Sequence, residues 1–76
     1  MGHAPAFTVK GENISAEQRD AGLAAMRGRF NAWNVRGALS RAGVENTDRA
    51  ADRLMQAERK AGRIRAVDNR NWERLA

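Results

Sequence analysis

Thr47-Asp48-Arg49-Ala50-Ala51-Asp52-Arg53-Leu54-Met55-Gln56-Ala57-Glu58-Arg59-Lys60-Ala61-Gly62-Arg63-Ile64-Arg65 is the stretch that decides how this chain folds. Within it Arg49, Arg53, Gln56, Lys60 and Arg63 recur at spacings of four, three, four and three. On a helix turning about 100° per residue, that spacing gathers them on one narrow face. The other side carries Ala50, Ala51, Leu54, Met55, Ala57 and Ala61, so the segment reads as an amphipathic helix with its apolar side docked. Its cationic side is then offered to a partner, and a polyanion is the natural one. Glu58 is discordant, because it projects from the middle of the apolar side; either an arginine at the domain edge pairs with it, or the docked side is rotated. The plainer reading makes the basic face a solvated surface, with Asp48, Asp52 and Glu58 interspersed for intrahelical pairing.

Working upstream, Val44-Glu45-Asn46 makes a turn, and Asn46 or Thr47 caps this third helix. Before the turn, Val35, Ala38, Leu39 and Ala42 fall at i, i+3, i+4 and i+7, a buried stripe on a second helix that starts at the N-cap Asn31 and stops at Gly43. Arg29-Phe30 is a short extended connector. Ser15-Ala16-Glu17-Gln18 fits a capping box, so a first helix begins there and runs through Leu23 and Met26 to Gly28. Phe7-Thr8-Val9-Lys10 alternates as a short strand closed by the turn Gly11-Glu12-Asn13.

Downstream of Gly62 the helical period is lost. Residues 63–67 and 71–75 read as two strands of a hairpin around Asp68-Asn69-Arg70. Alternation decides the loop length: three residues put Ile64 and Trp72 on one face, whereas a two-residue turn separates them. With no glycine in the loop, Asn69 or Arg70 is expected to take the left-handed conformation.

The chain has 76 residues, enough for one domain, read as residues 7–76 behind a mobile start at 1–6. Many of its apolar residues are alanine, so the expected core rests on Phe7, Val9, Ile14, Leu23, Met26, Phe30, Val35, Leu39, Leu54, Met55, Ile64 and Trp72. Stability on the order of 5 kcal/mol follows from so small a core. Gly22 and Gly37 lie inside helices, which points to close contact between backbones there. The net charge is +5, and most of it sits late in the chain: residues 1–48 hold six Lys/Arg against five Asp/Glu, residues 49–76 eight against four. A surplus of that kind draws anionic partners.

Cysteine is absent, which excludes disulfides and thiolate metal sites and makes a reducing cytoplasm the expected compartment. No apolar run approaches the roughly 20 residues of a membrane span, and the first residues lack the pattern of a secretory signal. His3 is the sole histidine and has no thiol companion, so no metal site is assigned. Neither a Ser/His/Asp set in a structured region nor a phosphate-cradling glycine loop is present, so neither a catalytic role nor a cofactor is expected.

The order of helix, extended connector, helix, turn, helix and hairpin resembles a winged helix-turn-helix domain over Ser15 to Leu75, an α+β fold. Phe30-Asn31-Ala32-Trp33-Asn34-Val35-Arg36-Gly37-Ala38-Leu39 entering the second helix carries the likeness, as does the passage from Leu54 to Arg65 where the third helix ends at glycine and a strand begins. Phe7 to Lys10 has no counterpart in the minimal fold and adds an extra strand. The resemblance implies that residues 47–61 enter the major groove of DNA and that 67–71 form a wing tip along the backbone or in the minor groove. Arg49 and Arg53 become candidates for base edges. Asn46, Thr47, Gln56, Lys60 and Arg63 become candidates for phosphates, with Arg65 and Arg70 doing the same from the wing. Neutralising about four phosphates would make the binding constant fall with roughly the −3.6 power of salt concentration.

These readings point to a small regulator of transcription or an accessory protein of a mobile element, with duplex DNA as partner and a monomer as the default over a homodimer. A protein-interaction module is the rival, since winged helices also serve as scaffolds, and structured RNA is a third reading. Trp33, in the first turn of the second helix, either stacks on a base or deoxyribose or packs partly buried. Trp72 is read as core.

Overall fold

The computed structural model describes residues 4–75, so His3 and the first half of the expected mobile start lie outside the described residues. The chain is α+β. Its elements run β1 (Phe7–Val9), β2 (Glu12–Ile14), α1 (Ala16–Ala24), β3 (Arg29–Asn31), α2 (Ala32–Arg41), α3 (Thr47–Lys60), β4 (Ile64–Ala66) and β5 (Asn71–Arg74). They form two small antiparallel sheets, β1-β2 and β3-β5-β4.

The first sheet corrects the reading of Gly11-Glu12-Asn13 as a turn. Lys10 and Gly11 both take positive φ, 47° and 78°, and close a two-residue loop with Val9 paired to Glu12. Two successive positive φ values describe the turn whose twist suits a hairpin. Glu12 and Asn13 are thereby released into a second strand, which places Ile14 in the core beside Val9.

Ser15 starts α1 as expected: its hydroxyl accepts from the Gln18 amide, and the Gln18 side chain accepts from the Ser15 N–H. The helix ends at Ala24, short of Gly28. The Met26 N–H donates back to the Leu23 carbonyl, and Met26 is fully buried beyond the helix end. Asn31 caps α2 through a reciprocal pair with Asn34. At the far end the Gly43 N–H donates to the Ser40 carbonyl and the Val44 N–H to the Leu39 carbonyl, a Schellman closure that buries Val44 against Leu39. Val44 is absent from the core expected from sequence. Phe7, Leu23 and Trp72 are half-buried and pack against the core from its edge.

The short connector joins the second sheet: Phe30 pairs with Trp72 of β5, and Trp72 with Ala66 of β4. The hairpin loop has three residues, and Ile64 and Trp72 share the inner face. Neither Asn69 nor Arg70 is left-handed, since Lys10 alone among the described non-glycine residues takes positive φ. Asp68 shapes the loop instead. Its carboxylate accepts from the Arg70 and Asn71 amides and from the Asn71 side chain, and these bonds hold its pKa below the ordinary value.

The two helical glycines differ from each other. A Cβ on Gly22 would meet leucine methyls, Leu54 Cδ1 at 2.7 Å and Leu39 Cδ2 at 2.9 Å, so side chains rather than another backbone fill that space. A Cβ on Gly37 would meet only the Arg41 guanidinium at 3.5 Å, so the expected backbone contact is missing there.

Candidate nucleic-acid interface

Helix α3 lies with Ala50, Ala51, Leu54, Met55 and Glu58 buried. Ala57 and Ala61 are exposed, which corrects the expected docked face by a partial rotation. The reason is Glu58. Its carboxylate sits at the centre of the buried side, where the Arg63 Nε donates to Oε2 at 2.7 Å and the Arg74 Nη1 to Oε1 at 3.0 Å. The Arg63 bond leads in holding the Glu58 carboxyl below its ordinary pKa; burial pushes the other way, and Arg74 adds to the lowering. The Gly62 and Arg63 amides close the helix on the Arg59 and Glu58 carbonyls, a second Schellman closure that brings Arg63 beside Glu58.

Opposite that buried side, Arg49, Arg53, Gln56 and Lys60 are all exposed. At 100° per residue they occupy an arc of about 60°, centred within about 20° of the direction away from the core. The structure therefore brings these four candidates together on one outward surface. Among the described residues no ion pair engages Arg49, Arg53 or Lys60. Arg53 lies over the Phe7 ring, 5.9 Å from its centroid, which ties the surface to the amino-terminal hairpin.

The other candidates are placed differently. Asn46 is occupied: its backbone N–H and side-chain amide donate to Glu12, whose second carboxylate oxygen accepts from the Glu45 N–H. Glu12 thus caps α3 from across the fold, and these bonds, the backbone ones first, lower its pKa. Asn46 itself makes no side-chain cap, which corrects the expected local capping. Thr47 is half-buried at the helix start. Arg63 shares Glu58 with Arg74, which leaves that trio one positive charge in excess, and Arg65 is paired with Glu73 across the hairpin. Arg70 is exposed in the hairpin loop, and among the described residues only its backbone N–H is engaged, by Asp68.

Trp33 is 75% exposed. It lines a shallow cavity of about 520 Å³ with Phe30, Arg27, Arg29 and Arg41, away from the α3 arc. Arg36 lines a smaller cleft with Asp48, Asp52, Gln56 and Trp72, and its Nε is buried without a hydrogen-bond partner among the described residues. No group of three or more His, Asp or Glu able to hold a metal occurs among the described residues. None of the described helices is long and apolar enough to cross a membrane.

Comparison with known proteins finds no family model, curated protein or solved structure that matches this chain.

Proposed function

We propose that this chain is a small cytoplasmic DNA-binding protein of winged helix-turn-helix type, a regulator of transcription or an accessory protein of a mobile element. The observation that carries the reading is the outward arc of Arg49, Arg53, Gln56 and Lys60 directly across α3 from its buried side. A cationic helix face that no ion pair engages among the described residues suits the major groove, which admits an α-helix. Support also comes from the extended connector, because β3 joins the hairpin strands in one sheet and holds the loop carrying Arg70 as a wing. In this reading Arg49 and Arg53 reach base edges. Thr47, Gln56, Lys60 and Arg70 contact phosphates, and Asn46, Arg63 and Arg65 contribute less because carboxylates already hold them.

The test is a labelled duplex titrated with an Arg53→Glu, Lys60→Glu variant that remains folded. The expected result is loss of most of the affinity, tenfold or more at about 150 mM salt. Undiminished binding would reject the assignment of this face.

Exposed Trp33 supports a second reading, in which the fold is a protein-interaction module. Three arginines around a tryptophan-lined cavity suit an acidic segment carrying an apolar side chain. Saturable binding of such a peptide, quenched or shifted in Trp33 fluorescence and accompanied by no affinity for duplex DNA, would favour it.

A further inference from the structure

The amino-terminal hairpin is an addition to the core fold, yet its turn lies against the helix that carries the cationic arc. Thr8, Val9 and Lys10 from the hairpin and Arg49, Asp52 and Arg53 from α3 enclose a notch of about 250 Å³. Three cations line it against one carboxylate. Among the described residues Asp52 forms no ion pair with any of them, and Thr8, Lys10, Arg49 and Arg53 are all exposed.

The hairpin is fixed to α3 at two points. Glu12 accepts from the Glu45 and Asn46 amides at 2.9 Å, at the helix start. Phe7 sits beneath Arg53, one helical turn beyond Arg49. Between these anchors the two-residue turn Lys10-Gly11 projects from the paired residues Val9 and Glu12, so Lys10 stands on a hairpin whose strands are fixed by backbone pairing.

We infer that Lys10, Arg49 and Arg53 form a phosphate-binding notch that takes a backbone phosphodiester of duplex DNA, extending the contacted surface from α3 onto the hairpin. This rests on the proposed DNA-binding reading and adds a contact to it. Lysine serves as a point charge on the phosphate, while each guanidinium, with five N–H donors, turns one edge to the phosphate and leaves another for a base. Thr8 lines the same edge, but its hydroxyl donates to Asn13 Oδ1 at 3.2 Å within the hairpin, so the cations alone carry the contact. Arg49 then bridges the notch and the groove-facing arc, so the phosphate contact would fix the register in which α3 meets the bases.

The test measures the affinity of the full chain for a labelled duplex across a salt series, for the wild type, Lys10→Asn and Lys10→Arg. Asparagine suits a turn position with positive φ, so the first variant removes the charge without straining the hairpin. The inference expects the log-log salt slope to lose about 0.9 in Lys10→Asn and to be restored in Lys10→Arg. It also expects the Lys10 and Gly11 amide signals of the wild type to move on adding duplex. An unchanged slope in Lys10→Asn with unchanged thermal stability overturns the notch while leaving the α3 reading intact. Failure of the wild type to bind duplex at all would overturn both.

Discussion

Glu58 is a carboxylate on the buried side of α3, and its surroundings explain how a charge is tolerated there. Arg63 and Arg74 satisfy both of its oxygens from the domain edge, where their own side chains remain 55% and 35% exposed. Such a pair stabilises modestly, because its cations stay partly solvated. Glu58→Gln is expected to cost about 1–2 kcal/mol at neutral pH, since charge-assisted bonds become neutral ones. The folded-state pKa of Glu58 is lowered, so its contribution is fully present above the ordinary value of 4.5 and is lost as the pH falls through the folded value. Urea unfolding of both forms across pH checks this: the gap should close in acid, and a gap that persisted would assign the cost to packing. Arg36 shows the opposite situation, a buried Nε with no partner among the described residues, and nothing in the structure explains it.

Among the elements, α2 tolerates a glycine where nothing presses on it. Gly37→Ala should stabilise the chain by about 0.5–1 kcal/mol, because alanine favours the helix and its Cβ meets only an ordinary contact at 3.5 Å. Gly22→Ala should lack that benefit, as its Cβ would crowd two leucines in the core. Thermal unfolding of the two variants side by side decides the matter; equal gains would mean that the α1 packing relaxes freely.

The three helices were legible in the sequence because their signals are local. Ser15 with Gln18, Asn31 at its cap, and the glycines at 43 and 62 each act within one turn of chain. Parity alone was enough to set the three-residue loop of the second hairpin. Val44 was missed although a signal was present, since a residue after a helix-ending glycine often packs against the last turn. The position of the β1-β2 turn is hidden in the sequence because Lys10 gives no hint of positive φ, a conformation more usual for asparagine or glycine. Glu12 over the start of α3 was not legible at all: the contact spans more than thirty residues and depends on tertiary placement. The cationic arc could be read from spacing, and an arginine partner for Glu58 from its discordant place on the helix, whereas the commitment of Asn46 and Arg65 to carboxylates could not.

At the scale of the whole molecule, two separate surfaces gather cations. One carries Arg49, Arg53, Gln56 and Lys60 on α3, with Lys10 beside them on the hairpin; the other carries Trp33 among Arg27, Arg29 and Arg41. The surplus of +5 alone does not choose between them. Helical spacing favours the first for a regular polyanion, because four polar side chains in one arc follow a groove. An isolated tryptophan in a cavity favours a single side chain of a protein partner.

The most direct measurement is amide chemical-shift mapping of the full chain titrated with a short duplex of random sequence. Perturbations are expected along residues 47–60 and at the loop of residues 68–70, weakening as salt rises. Perturbations confined to Trp33 and the α1–α2 surface, or none at low salt, would contradict binding through α3.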